Sequence, residues 1–226
     1  MTPYYEHNGV TIYHADCREV IPKCVGVNLV VTDPPYSFGM ASSVHEKKSG
    51  SWGDMMNAAS FYADVLSQIH DILRQGGGLW MFNSWRSLPI LTRAAYEASW
   101  PIVSLLVWDK QWIGPGGDTG LRPSYELVAL FSAHGWKLPN RGLPDIWPCQ
   151  WSSHKPHHPA EKPVELLGRM IVESGGTVIL DPFCGSGSTL VAAKLLGHNA
   201  IGVETEERHC ETAAKRLSQQ VFDFAG

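Results

Sequence analysis

The stretch "TVILDPFCGSGSTLVAAKLLGHNAIGVE", Thr177 to Glu204, decides the fold. It opens on a short apolar run that stops at Asp181, turns through Gly185 and Gly187, and enters the helix-forming run "STLVAAKLLG". A second apolar run, "HNAIGVE", ends on Glu204. Strand, tight turn, helix and strand make a βαβ unit, whose crossover helix lets the two strands run parallel. The same alternation continues outward. "VTIYHAD", "VNLVVTD", "LWMFNS", "PIVSLLVWDK" and "YELVALFS" read as strands. "AASFYADVLSQIHDILRQGGG" reads as an amphipathic helix, with Phe61, Val65, Ile69 and Leu73 at steps of four and glycines at its end. "RSLPILTRAAYEASW", "KPVELLGRMIVES" and "RHCETAAKRLSQQ" are further helices. Strands alternating with helices predict an α/β fold, a doubly wound and mostly parallel sheet in one domain over 1–226. Two segments stand apart from it. Residues 40–54, "MASSVHEKKSGSWGD", read as a mobile loop, and the proline-rich segment 134–158 reads as an insertion.

Composition supports a globular chain, with 44% hydrophobic and 18% charged residues, enough to build a core. The net charge of -4 provides no overall positive field for a nucleic acid, so any such partner needs a local patch. Five scattered cysteines without a CxxC disfavour a disulfide framework or a zinc site and suit a reducing interior. With no leader-like start and no apolar run near the roughly 20 residues that span a bilayer, a cytoplasmic protein without a membrane partner is expected.

The acids at the strand ends narrow what the glycine turn can hold. Glu204 stands about where such folds place an acid on ribose hydroxyls. Asp181 directly precedes the turn, where it would repel a pyrophosphate, and Leu190 replaces the third glycine of the dinucleotide pattern. Both features disfavour NAD and FAD. A ligand combining adenosine with a cationic amino group suits two carboxylates better, and S-adenosyl-L-methionine is such a ligand.

A second stretch, "VVTDPPYSFG", Val30 to Gly39, ends a buried strand in an acid, two prolines and a ring. Pro35 restricts Pro34 to extended geometry and so aims its carbonyl. The exocyclic amino nitrogen of adenine or cytosine is a poor nucleophile because its lone pair is delocalised. Two acceptors gripping its hydrogens, the Asp33 carboxylate and the Pro34 carbonyl, would free that lone pair for in-line attack. Tyr36 offers a flat face for a base taken out of the helix.

"DPPY", "HPAEKPVELL" and "DPFCGSGST" together resemble the amino-group DNA methyltransferases, which make N6-methyladenine or N4-methylcytosine. The catalytic motif precedes the cofactor loop, as in the permuted β group of that family. The resemblance implies a seven-stranded Rossmann-like methyltransferase sheet, duplex DNA as partner and a homodimer. It also implies site roles. Asp33, Pro34, Pro35 and Tyr36 act on the target base. Asp181, Pro182, Phe183, Gly185, Gly187 and Ser188 hold the methionine part of the cofactor, with Asp33 close by. Glu204 takes the ribose, Asp16 and Cys17 border the adenine, and Lys162 lies near the cofactor carboxylate. Phe38 packs near cofactor or base. Adenine is favoured over cytosine because N4 enzymes more often begin the motif with serine. A non-catalytic, cofactor-sensing DNA-binding module would predict a damaged motif, and none is seen.

For DNA contacts the sequence offers Lys47 and Lys48 in the 40–54 loop. In 134–158 it offers Lys137, Arg141 and Lys155, interleaved with Trp136, Trp147 and Trp151. His154, His157 and His158 are potential metal ligands by type, but intervening prolines break any helical spacing, and no metal is expected.

Overall fold

Leu29, Val30, Val31 and Thr32 are all buried, as befits a strand covered on both faces. This strand lies near the middle of a single nine-stranded sheet in a computed structural model. The structure describes residues 1–35, 52–73, 75–114, 120–151 and 161–219, with side chains from 57 onward in the second segment. Among these, the strands are β1 (Tyr5–His7), β2 (Val10–His14), β3 (Leu29–Thr32), β4 (Gly77–Asn83) and β5 (Ser104–Asp109). They continue with β6 (Tyr125–Ala133), β7 (Ile146–Pro148), β8 (Val178–Asp181) and β9 (Asn199–Glu204). Their order across the sheet is β1-β2-β9-β8-β3-β4-β6-β5-β7. From β2 to β4 every neighbouring pair is parallel, and β6 runs antiparallel to both β4 and β5.

Seven strands were expected. The two additional ones are three-residue edge strands, too short to show a period. β1 is mostly exposed and pairs antiparallel with β2. β7 contributes one buried side chain, Trp147, between exposed Ile146 and Pro148, and its proline is tolerated because the strand is an edge.

Among the described residues, six α-helices cover the faces: α1 (Cys17–Val20), α2 (Trp52–Ile72), α3 (Leu88–Glu97), α4 (Val164–Ser174), α5 (Ser188–Leu195) and α6 (Glu207–Ser218). The alternation of strand side chains sorts the core into two layers. Leu29 and Val31 join Leu166, Met170, Ile171 and Leu190 of α4 and α5. Val30, Leu79 and Met81 join Val65, Leu66, Ile69, Leu91 and Ala94 of α2 and α3.

Two expected segments read differently in three dimensions. α2 already begins at Trp52, so Trp52–Asp54 belong to a helix and not to the loop; Gly53 suggested a loop, but a glycine in the first turn costs a helix little. The rest of 40–54, with Lys47 and Lys48, lies outside the described residues. In 134–158, Trp136 packs over Gly78, where a Cβ would sit 2.7 Å from the ring. Trp147 is buried beneath the Arg169 guanidinium, 4.0 Å from the ring centroid. Trp147 is core, and Trp136 is partly buried and packs against that core.

Lys137 and Arg141 follow the end of β6, where Ala133 pairs with Gly77 at the start of β4. That is the sheet end opposite Asp33, about 20 Å away along a seven-residue strand. The chain reaches the face that carries Asp33 only later, at Trp151. Lys155, His154, His157 and His158 lie outside the described residues.

Candidate active site

The chain reverses its direction of winding between β8 and β3. From β8 it passes through α5 to β9 on one side, and from β3 through α2 to β4 on the other. Loops leaving neighbouring parallel strands in opposite directions open a crevice at the carboxyl ends of the strands, where ligands of doubly wound folds bind. Asp181 and Asp33 flank this crevice. The pairing of Val30 with Leu180 brings the two motifs side by side, and Thr32 Oγ1 donates to Asp181 Oδ1 at 2.7 Å.

On the β3 side, the loop is pinned from below. Tyr62, buried on α2, donates its hydroxyl to the Pro35 carbonyl at 2.7 Å. Lys162 Nζ donates to Asp33 Oδ2 at 2.6 Å. Tyr36 and Phe38 lie outside the described residues.

On the β8 side, Asp181 is buried and also accepts from the Phe183 amide at 3.1 Å. Burial pushes its carboxyl up to about 6, against donors from Thr189, Thr32 and Phe183 that pull it down. Gly187 has φ +82°, and a Cβ there would stand 2.8 Å from Ala213 of α6, so both conformation and space require glycine. Glu204 closes the turn. Its Oε2 accepts from the Gly185 amide at 3.0 Å, and its Oε1 from the Thr205 and Glu206 amides at 2.8 Å each.

A cavity of about 590 Å³ joins the two sides, lined by Asp33, Pro34, Pro35, Lys162, Asp181, Phe183, Gly185, Ser188 and Glu204. A smaller one of about 220 Å³ adjoins it and is bordered by Asp16, Cys17, Phe61, Pro182 and Phe183. Asp16 caps α1 and is paired with Arg18 at 2.6 Å, whose hydrogen bond holds the Asp16 carboxyl below the usual carboxylate range. Burial pushes the Cys17 thiol up to about 12, so it serves as wall rather than nucleophile. Among the described residues, no group of three or more histidine, cysteine or acidic side chains could hold a metal.

Several participants escaped sequence reasoning. Glu126 of β6 bridges Lys162 at 3.1 Å and Lys110 at 2.7 Å. Burial disfavours the Lys162 ammonium, but the charge of Asp33 and then of Glu126 outweighs it and raises the group above its ordinary value. Glu126 is likewise penalised by burial, yet Lys162 and Lys110 hold its carboxyl low. An acid inside the apolar "YELVALF" was the available signal. Arg216 of α6 donates to the Ser186 carbonyl at 2.7 Å and pairs with Glu161 at 2.5 Å, tying the glycine turn to "AEKP". Trp112 and Trp151 stack at 4.2 Å on the cavity wall, near Lys110.

These features define a Rossmann-like domain of the methyltransferase type, with a nucleoside-sized crevice carrying an acid at each strand end. The donor set fits S-adenosylmethionine, because anchored carboxylates beside a glycine turn suit hydroxyls and an ammonium and repel a polyphosphate. The sequence matches the DNA methylase family of N6/N4 enzymes over residues 27–215, and the chain belongs to that family. It is 29% identical over 208 residues to YubD of Escherichia coli (strain K12), covering 90% of this chain and 88% of that protein. Its fold is similar to that in the crystal structure of the M1.HpyAVI–SAM complex, with TM-score 0.71, 22% identity, and coverage of 93% and 100% of the two chains. The cytosine-N4-specific PvuII DNA methyltransferase shares the fold at TM-score 0.76 and 14% identity, over 98% and 90%.

Proposed function

We propose that this DNA methyltransferase transfers a methyl group from S-adenosylmethionine to the exocyclic N6 of adenine in duplex DNA, acting on a base taken out of the helix. The observation that carries this reading is the single cavity shared by Asp33 and Pro34 with Asp181 and Glu204. When bound, the cofactor would supply a sulfonium methyl, which the amino lone pair takes as the S–C electron pair returns to sulfur and the methylated nitrogen loses one proton to solvent. Asp181 would hold the cofactor ammonium and Glu204 the ribose hydroxyls, with the adenine in the smaller cavity bordered by Asp16, Cys17 and Phe183. Asp33 and the Pro34 carbonyl accept the two amino hydrogens and draw the nitrogen towards tetrahedral geometry, which localises its lone pair. The flat faces of Trp112 and Trp151 suit an extruded base, in addition to Tyr36. Adenine is preferred because the motif begins with aspartate.

The test is nucleoside mass spectrometry of duplex DNA incubated with the protein and S-adenosylmethionine, with Asp33→Ala as control. N6-methyldeoxyadenosine that vanishes in the variant is the expected result. N4-methyldeoxycytidine instead would overturn the choice of adenine. Undiminished product from Asp33→Ala would overturn the mechanism.

A further inference from the structure

Lys162 stands in the "AEKP" motif, where resemblance places a lysine beside the cofactor carboxylate. The structure gives its ammonium two protein carboxylates instead. Four charges of alternating sign run in file: Asp33, Lys162, Glu126 and Lys110, with contacts of 2.6, 3.1 and 2.7 Å. Lys162 is buried, and both lysines lie over rings, Lys162 5.1 Å from the Phe82 centroid and Lys110 5.2 Å from that of Trp108. Drawing four ionised groups together, one buried and three partly so, is a poor way to gain stability, since an apolar cluster of equal volume does as well. Such a file therefore calls for a role in geometry.

Its anchorage supplies one. Glu126 sits within β6, paired with Trp108 of β5, and the Lys110 amide is bonded to the Ser124 carbonyl at 3.0 Å. The far end of the file is thus fixed to two rigid antiparallel strands. The near end grips a carboxylate on a loop. An ammonium held on Asp33 Oδ2 fixes the rotation of that carboxylate about Cβ–Cγ, which neither proline can do, because both act on the main chain alone. Resting on the reading of Asp33 as the acceptor for the target amino group, we infer that Lys162, braced by Glu126 and Lys110, is a positioning residue for Asp33 and not a ligand of the cofactor carboxylate.

Two quantities separate these roles: the single-turnover methylation rate at saturating DNA and S-adenosylmethionine, and the calorimetric Kd for S-adenosylmethionine alone. Lys162→Gln and Glu126→Gln should each slow the single-turnover step, Lys162→Gln on the order of 100-fold, as displacement of a reacting group by about 1 Å does. Kd should stay within about threefold, because no cofactor contact is lost. A Kd that rises tenfold in Lys162→Gln while the saturated rate is kept would make Lys162 a cofactor ligand and overturn the inference. Unaltered rates in both variants would overturn it as well. Glu126→Gln keeps the size and acceptor oxygen of the bridge, so it carries the test if Lys162→Gln does not fold. The wild-type rate separates the two levels. No wild-type methylation overturns the functional reading and this inference with it, whereas an active wild type with unaltered variants overturns the inference alone.

Discussion

Asp181 shows how one side chain couples cofactor binding to pH. Its carboxyl is raised to about 6 by burial, from 3.8 in an unfolded chain. The folded protein therefore holds this proton more tightly than the unfolded chain. The stabilising effect of protonation is complete below about pH 4 and lost as pH rises through 6. Above that, the folded state contains a buried carboxylate waiting for a cation. Cofactor affinity should accordingly fall as pH drops through about 6, with a proton released on binding below that value, which calorimetry in buffers of different ionisation enthalpy measures. Asp181→Asn should bind S-adenosylmethionine at least tenfold more weakly, a loss of about 1.4 kcal/mol or more. Its thermal stability at pH 8 should match or exceed wild type, and that advantage should shrink towards pH 5.

At the scale of elements, the site is assembled by parts that look structural. α2 sends Tyr62 under the Pro35 carbonyl, and α6 sends Arg216 to the glycine turn. Helix periodicity predicted both helices, but it marks a buried tyrosine only as core, and a helix-surface arginine only as solvated. The edge strand β7 teaches the reverse. Its tryptophan belongs to a segment that composition marked as DNA-facing, yet Trp147 fills the space between Trp80 and Arg169. Trp147→Ala should cost about 3–5 kcal/mol in denaturant unfolding, as a large-to-small core change does, with methylation per folded molecule little changed. A variant of normal stability that failed to methylate DNA would return Trp147 to the recognition surface.

For the whole molecule, the cofactor side and the catalytic side are far apart along the chain but adjacent in the sheet. A ligand spanning them should stabilise the domain as a unit. At S-adenosylmethionine about 100 times its Kd, stabilisation of about 2.7 kcal/mol is expected, visible as a rise in Tm. Glu204→Ala should lose most of that rise at the same concentration; an undiminished rise would remove Glu204 from the ribose.

Local chemistry was legible in the order of residues alone. Alternating apolar runs, a glycine turn with an acid at each end, and a carboxylate stiffened by prolines each work over a few neighbouring residues, so the sequence determined the sheet class, both motifs and the kind of cofactor. Only the tertiary structure decided what lies across the site. The pairing of β3 with β8, the file of charges from Asp33 to Lys110, and the placement of Lys137 and Arg141 at the far end of the sheet depend on contacts between residues far apart in the chain. No local pattern encodes such contacts, because a charge in a strand or a ring in a loop has the same sequence signature whether its partner is solvent or a residue a hundred positions away.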